Sequence, residues 1–364
     1  MFFLIFPHFF FFFFLFYKRP NFMICYSKKK KNDKILYKIF FLGYSFFKDL
    51  FESILIAKKS IFVQFYIFRN DYLGKIFLYC LKNRSNECTI LLIVDNIGSS
   101  NFTFSHNKIL FFKYNKETIL INLRNHKKIV FIDSKILFIG GNNVGLEYLG
   151  INTSVKKWND FHCKIINFYP NFLINDYIIP TNNNYLIKKI EICKKIFYLD
   201  NFMKDFINFL IFFVKKKLVI MSPYIILDKN LINLVKNLLN KRVDITIYVS
   251  CETDNLYIQI SSLIFLKFLM NYKVKIFFLS DGFFHRKIYI IDSDYIIFGS
   301  MNFDIRSIFI NKECLILIKD ACFKKIFYEE LNKQIISISM KTHKKKPILL
   351  KFIYIFSFLN YFIQ

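Results

Sequence analysis

One segment of this chain occurs twice. HKKIVFIDSKILFIGGNN (126–143) and HRKIYIIDSDYIIFGSMN (285–302) lie 159 positions apart and share 8 of 18 residues: His, Lys, two Ile, Asp, Ser, Gly and Asn. Upstream, KKSIFVQFYI (58–67) has a counterpart in KKKLVIMSPYI (215–225) at nearly the same spacing. A duplication within 364 residues restricts the fold to two copies of one unit, each long enough to bury its own core. Two such copies face each other across a pseudo-two-fold axis, which brings like residues into one cleft. SIFVQFYI (60–67), TILLIVD (89–95), KLVIMSPY (217–224), DITIYVS (244–250) and KVKIFFL (273–279) read as strands, being β-branched or aromatic and bounded by polar residues. Between the later strands Asp228 stands where it caps a helix carrying Leu231, Leu234, Val235, Leu238 and Leu239 at helical spacing. The alternation predicts an α/β fold with the functional site at the interface of two repeats. The expected parts are 1–33 as an apolar segment and Lys-rich linker, 34–180 and 181–340 as the repeats, and 341–364 as a basic-apolar tail.

Each copy opens with His-x-Lys, then four residues, then Asp: His126, Lys128, Asp133 and His285, Lys287, Asp292. Composition gives about 0.04 such patterns per chain by chance, so two aligned copies are a strong signal. Residues i and i+2 share a strand face, so each His and Lys project together, and pairing the copies puts two imidazoles and two ammonium groups in one pocket. That set suits phosphoryl chemistry: one imidazole attacks phosphorus, the other protonates the departing alcohol, and the lysines hold the non-bridging oxygens. No metal or other cofactor is expected. Asp133 and Asp292 belong to the repeated set, but each precedes Ser at an apparent hairpin turn, so turn capping is their physical reading. Gly140-Gly141-Asn142-Asn143 and Gly299-Ser300-Met301-Asn302 follow, using three of only nine glycines. Close backbone approach and an amide beside a phosphate put Gly141, Ser300, Asn143 and Asn302 at the pocket. A histidine that presents one nitrogen needs the other held, and Asp160 and Glu313 are the candidate carboxylates, with surface ion pairs as the alternative.

The net charge of +27 would ordinarily point to nucleic acid, yet 46 of the 53 basic residues are Lys, and Phe, Ile, Asn and Tyr abound. These residues have A/T-rich codons, so mutational bias explains most of the charge and no nucleic-acid partner is expected. The eight cysteines are scattered without zinc-ligand spacing and read as buried free thiols. The ends differ from the middle. Residues 1–17 (MFFLIFPHFFFFFFLFY) precede Lys18, Arg19 and the run Lys28 to Lys31, the order of a membrane anchor or re-entrant insertion whose flanking charges keep the main body cytoplasmic, with a frayed low-complexity terminus as the alternative. KTHKKKPILLKFIYIFSFLNYFIQ at the other end has the composition of a segment lying at an anionic bilayer surface, or of a final core helix.

With these residues in view, the duplicated His-x-Lys-x4-Asp resembles the signature of the phospholipase D superfamily, and within it the bacterial cardiolipin synthases of the phospholipase D type. FYIFRNDYLG (65–74), VDNIGSS (94–100), RNHKKIVFIDSKILFIGGNN (124–143), Trp158 to Asp160, MSPYIILD (221–228) and FHRKIYIIDSDYIIFGSMNFDIRSIFINKE (284–313) carry the resemblance. It implies a phosphatidyltransferase at the cell inner membrane, joining two phosphatidylglycerols into cardiolipin and glycerol through a phosphohistidine. His126 would be the nucleophile and His285 the acid/base; the sequence alone does not assign these roles. The alternatives are a nuclease or phosphodiesterase of the same superfamily and an inactive scaffold at a membrane surface. Oligomeric state is unreadable, because the duplication already completes one site.

Overall fold

The computed structural model describes residues 24–26, 34–114, 123–151, 157–168, 196–200, 203–280, 282–335 and 340–341. In the first half run β1 (Ile24–Tyr26), β2 (Leu36–Phe40), α1 (Gly43–Leu55), β3 (Ser60–Phe65), α2 (Tyr72–Arg84), β4 (Thr89–Asp95), β5 (Ile109–Tyr114), β6 (Ile129–Ile132), β7 (Ile136–Gly140), β8 (Trp158–Asn159) and β9 (His162–Ile166). The second half contains β10 (Ile196–Asp200), α3 (Met203–Phe213), β11 (Lys217–Met221), β12 (Ile225–Ile226), α4 (Lys229–Asn240), β13 (Asp244–Ser250), α5 (Leu256–Met270) and β14 (Lys275–Leu279). It continues through β15 (Phe283–Phe284), β16 (Ile288–Ile291), β17 (Tyr295–Gly299), β18 (Phe303–Asp304), α6 (Ile305–Phe309), β19 (Cys314–Ile318), α7 (Ala321–Ile335) and β20 (Met340–Lys341).

The duplication read from the sequence is a duplication of topology. The first sheet has the order β2-β9-β7-β6-β3-β4-β5, and the second holds β10-β19-β17-β16-β11-β13-β14 as its core, with β1 and β20 added at its edges. Strand directions match pair by pair: β3 is parallel to β4 and antiparallel to β6, as β11 is parallel to β13 and antiparallel to β16. The α/β expectation is borne out. Residues 24–26, inside the stretch assigned to a linker, form β1 against β10 of the second sheet, with Cys25 opposite Tyr198.

Each sheet is buried on both faces, which is why its central strands read as unbroken apolar runs. One face carries helices: Val130 and Phe138 pack with Phe46, Leu50 and Ile54 of α1, while Ile245 and Ile247 pack with Leu231, Leu234 and Val235 of α4. As predicted, Asp228 caps α4 by accepting from Leu231 N at 2.9 Å. The other faces meet each other, with Ile129, Leu137 and Ile139 against Ile288, Ile296 and Phe298. The molecule is thus helix, sheet, sheet, helix in layers, and β6 and β16, which follow the motif histidines, lie at its centre. Among the described residues no helix is long and apolar enough to cross a membrane. The apolar block 1–17, the 180/181 boundary and the tail 341–364, apart from Lys341 at the end of β20, lie outside the described residues.

Candidate active site

Two backbone crossings between the halves build the site. β15 runs parallel to β8, pairing Phe284 with Asn159, and His285 N donates to Asn159 O at 2.7 Å. The mirror crossing bridges Asn125 and Lys312, with His126 N donating to Lys312 O at 2.9 Å and Lys312 N to Arg124 O at 2.8 Å. Each motif histidine is therefore tied to the other half's chain one residue before a carboxylate. The carboxylates consequently cross over. His126 Nδ1 lies 2.9 and 3.0 Å from the two oxygens of Glu313, and His285 Nδ1 lies 2.6 Å from Asp160 Oδ2. Asp160 and Glu313 occupy equivalent places, two residues before the strand position that pairs with Gly140 in one half and Gly299 in the other.

Burial would push both carboxyls up, but Lys287 and His285 hold Asp160 below the ordinary range, and His126 and Lys128 do the same for Glu313. Burial lowers both imidazoles, His285 to about 3, with Lys287 adding to the effect. An ionised carboxylate only accepts, so each ring is neutral with its proton on Nδ1, and the lone pair is on Nε2. Both rings line a cavity of about 700 Å3 between the halves, and so do Asn143 and Asn302. Beneath it, Lys128 Nζ donates to His126 O at 2.6 Å and Lys287 Nζ to His285 O. Burial lowers Lys128 to about 7 and Lys287 to about 8.

The remaining motif positions divide. Asn143 accepts from Ile67 N at 3.0 Å and donates to Tyr148 Oη at 2.8 Å, which fixes its amide at the cavity wall; the carbonyl of the Asn302 side chain is buried without a hydrogen-bond partner. Gly141 and Ser300 are not among the cavity-lining residues and stand behind the carboxylates instead. A Cβ at Gly141 would meet Asp160 Oδ1 at 2.1 Å, and Ser300 Oγ donates to Glu313 Oε2 at 2.5 Å. Asp133 and Asp292, grouped with the catalytic set by the repeated signature, lie past the far ends of β6 and β16 from the histidines. Asp133 accepts from the backbone of Lys58, Lys59 and Ser60, and Asp292 from that of Lys215, Lys216 and Lys217. Each locks a hairpin whose Asp and Ser both adopt positive φ, 54° and 52° in the first half and 50° and 61° in the second. They brace the scaffold rather than touch the cavity.

The cavity also has walls that the motifs did not mark. Tyr66 packs edge-on against His126 at 4.9 Å, and Arg124 and Arg306 line the same side. Around His285 stand Trp158 at 5.1 Å and Phe283 at 5.3 Å, and Tyr224 donates to Asp254. Two signals were available in the sequence: the Tyr-Ile pair recurs at 66–67 and 224–225, and arginine is scarce, seven against 46 lysines, so a retained Arg is informative. Among the described residues no group of three or more His, Cys, Asp or Glu is arranged to hold a metal.

A family model described as cardiolipin synthase, PLD-like domain, matches residues 213–336. The cardiolipin synthase of Clostridium perfringens is 29% identical over 359 residues, covering 88% of this chain and 74% of its own length. Cardiolipin synthase 1 of Staphylococcus epidermidis is 28% identical over 358 residues, covering 88% and 72%. Among solved structures, phosphatidylserine synthase of Haemophilus influenzae matches with a TM-score of 0.72 at 16% identity, covering 93% of this chain and 95% of that one.

Proposed function

We propose that the chain, which is similar to cardiolipin synthases over 88% of its length and matches the PLD-like cardiolipin synthase domain model over residues 213–336, is a phosphatidyltransferase converting two phosphatidylglycerols into cardiolipin and glycerol. The observation that carries this reading is the pair of crossed contacts, His126 with Glu313 and His285 with Asp160. They supply two neutral imidazoles, each oriented from behind, on one cavity. Following the family resemblance, His126 Nε2 attacks the phosphorus of the first lipid, forming an N–P bond as the P–O bond to glycerol breaks. The anionic phosphodiester between the rings raises the proton affinity of His285, which burial and Lys287 depress in the empty site, so that Nε2 takes up a solvent proton as the lipid binds. His285 then gives that Nε2 proton to the departing oxygen.

A headgroup hydroxyl of the second lipid then gives its proton back to His285 and attacks phosphorus, breaking the N–P bond. One phosphodiester replaces another, so no nucleotide is consumed. Lys128 and Lys287 lie beneath the cavity lining, each with one donor on a motif carbonyl, and in this reading turn their remaining donors to the non-bridging oxygens when the phosphodiester enters. Asn143 and Asn302 present amides at the same cavity. A substrate with two acyl chains remains in the bilayer while it reacts, which accords with the proposed inner-membrane attachment through the two chain ends.

The test is incubation of the full chain with phosphatidylglycerol vesicles alone, followed by mass analysis. Cardiolipin and glycerol in equal amounts are expected, and neither with His126→Ala or His285→Ala. Phosphatidic acid as the sole lipid product would identify a hydrolase instead.

A further inference from the structure

The motif residues are duplicated about the pseudo-two-fold axis, but one feature of the cavity is not. Arg124 and Arg306 come from different halves and line the same cavity as His126. At the repeat spacing their counterparts are Phe283 and Glu147, so the second imidazole has no such pair; Glu147 instead binds Arg69 at 2.9 Å. The crossing at Lys312 brings the two arginines together. Asn311 N donates to Arg306 O at 2.9 Å, and the next residue, Lys312, donates from its backbone N to Arg124 O at 2.8 Å.

Arg306 is lowered by burial first and by Arg124 next, so the two cations repel each other in a partly desolvated wall. Three other ionisable groups act there. Tyr66 hydrogen-bonds Arg124. Asp95 already accepts from the backbone of Ile97, Gly98 and Asn125. Asp304 accepts from Ser307 N and is pushed up by burial. Two guanidinium groups side by side offer forked donors that match a phosphate. A single transferring phosphorus needs only the symmetric set of His, Lys and Asn. A second cationic pair, off the axis and present once, is what a reaction with a second phosphate calls for.

We propose that Arg124 and Arg306 bind the phosphodiester of the acceptor phosphatidylglycerol, so that the enzyme favours an anionic lipid alcohol over free glycerol or water. The inference rests on the function proposed above. The acceptor's attacking hydroxyl and its phosphate are joined by a three-carbon arm, so a subsite in the wall of the same cavity orients the hydroxyl toward phosphorus.

Phosphatidylglycerol vesicles are incubated with labelled glycerol, and two products are followed: cardiolipin, which uses the lipid acceptor, and labelled phosphatidylglycerol, which uses glycerol as acceptor. Both depend on the same donor and histidines. Arg306→Gln and, separately, Arg124→Gln are expected to lower the ratio of cardiolipin to labelled phosphatidylglycerol by roughly tenfold, the scale of one charge-assisted contact, with partial recovery in Arg306→Lys. An unchanged ratio, whether both products fall together or neither falls, overturns the subsite. The ratio is read only from folded enzyme, and the two arginines lie on different elements, so one variant that yields no product leaves the other to decide. Wild-type chain that labels phosphatidylglycerol but forms no cardiolipin would refute the proposed function itself, a separate result.

Discussion

Around His126 the cavity is polar and cationic, with Tyr66, Arg124 and Arg306; around His285 it is aromatic at Trp158, with Phe283 packed behind the ring, and neutral to acidic at Tyr224 and Asp254. The groups proposed to make and break the bond are repeated, whereas those that distinguish one substrate from another are not. The halves also hold their histidines differently. Glu313 reaches His126 with both oxygens and is steadied by Ser300, while the shorter Asp160 reaches His285 with one oxygen, lies 3.9 Å from Lys287, accepts from Phe161 N at 2.7 Å with the other, and has Gly141 close behind it.

Removing either carboxylate charge is the severest way to break the comparison. Glu313→Gln and Asp160→Asn should each lower kcat about a thousandfold, because the neutral amide no longer fixes the Nδ1 proton. Single-turnover rates on folded variants check this, and a loss confined to one of them would mean that only one imidazole participates. Next is the packing behind the carboxylates. Gly141→Ala drives a methyl into Asp160 and should cost about a hundredfold in kcat, the scale of an ångström of misplacement. Ser300→Ala removes one hydrogen bond from Glu313 and should cost only about tenfold. Equal losses would contradict the different construction of the two sides.

The lysines predict a pH effect common to both halves. Lys128 at about 7 and Lys287 at about 8 are charged below those values and neutral above them. The kcat/KM profile should therefore fall as pH rises through 7 to 8, far below the 10.5 of an ordinary lysine. A profile flat to pH 9.5 would argue against the lysines as the phosphate clamp. The smallest effect is on stability. Asp133→Ala and Asp292→Ala each free backbone N–H groups at a part-exposed turn and should cost about 1–2 kcal/mol, read by urea denaturation. Turnover per folded molecule should be nearly unchanged, since neither carboxylate reaches the cavity.

These contrasts explain what the sequence could and could not tell. The repeat is visible because the same strands and turns demand the same residues twice, and Asp228 is legible as a cap because the cap lies three residues from its partner. The crossover of Asp160 and Glu313 is invisible, because two near-identical copies give no sign of which histidine each carboxylate serves. At Gly141 the physical reason, a side chain too large to fit, is legible, yet the close neighbour is Asp160 and not a phosphate. Arg124 and Arg306 are 182 residues apart and meet only through the Lys312 crossing, which no local pattern announces.

The covalent phosphohistidine is the step on which the proposed chemistry turns. Rapid quenching of the wild-type chain during turnover of phosphatidylglycerol labelled in its phosphate should trap acid-labile, base-stable label on the peptide containing His126, and none on folded His126→Ala. Label on another residue, or none on folded wild-type protein that binds the vesicles, would contradict that step.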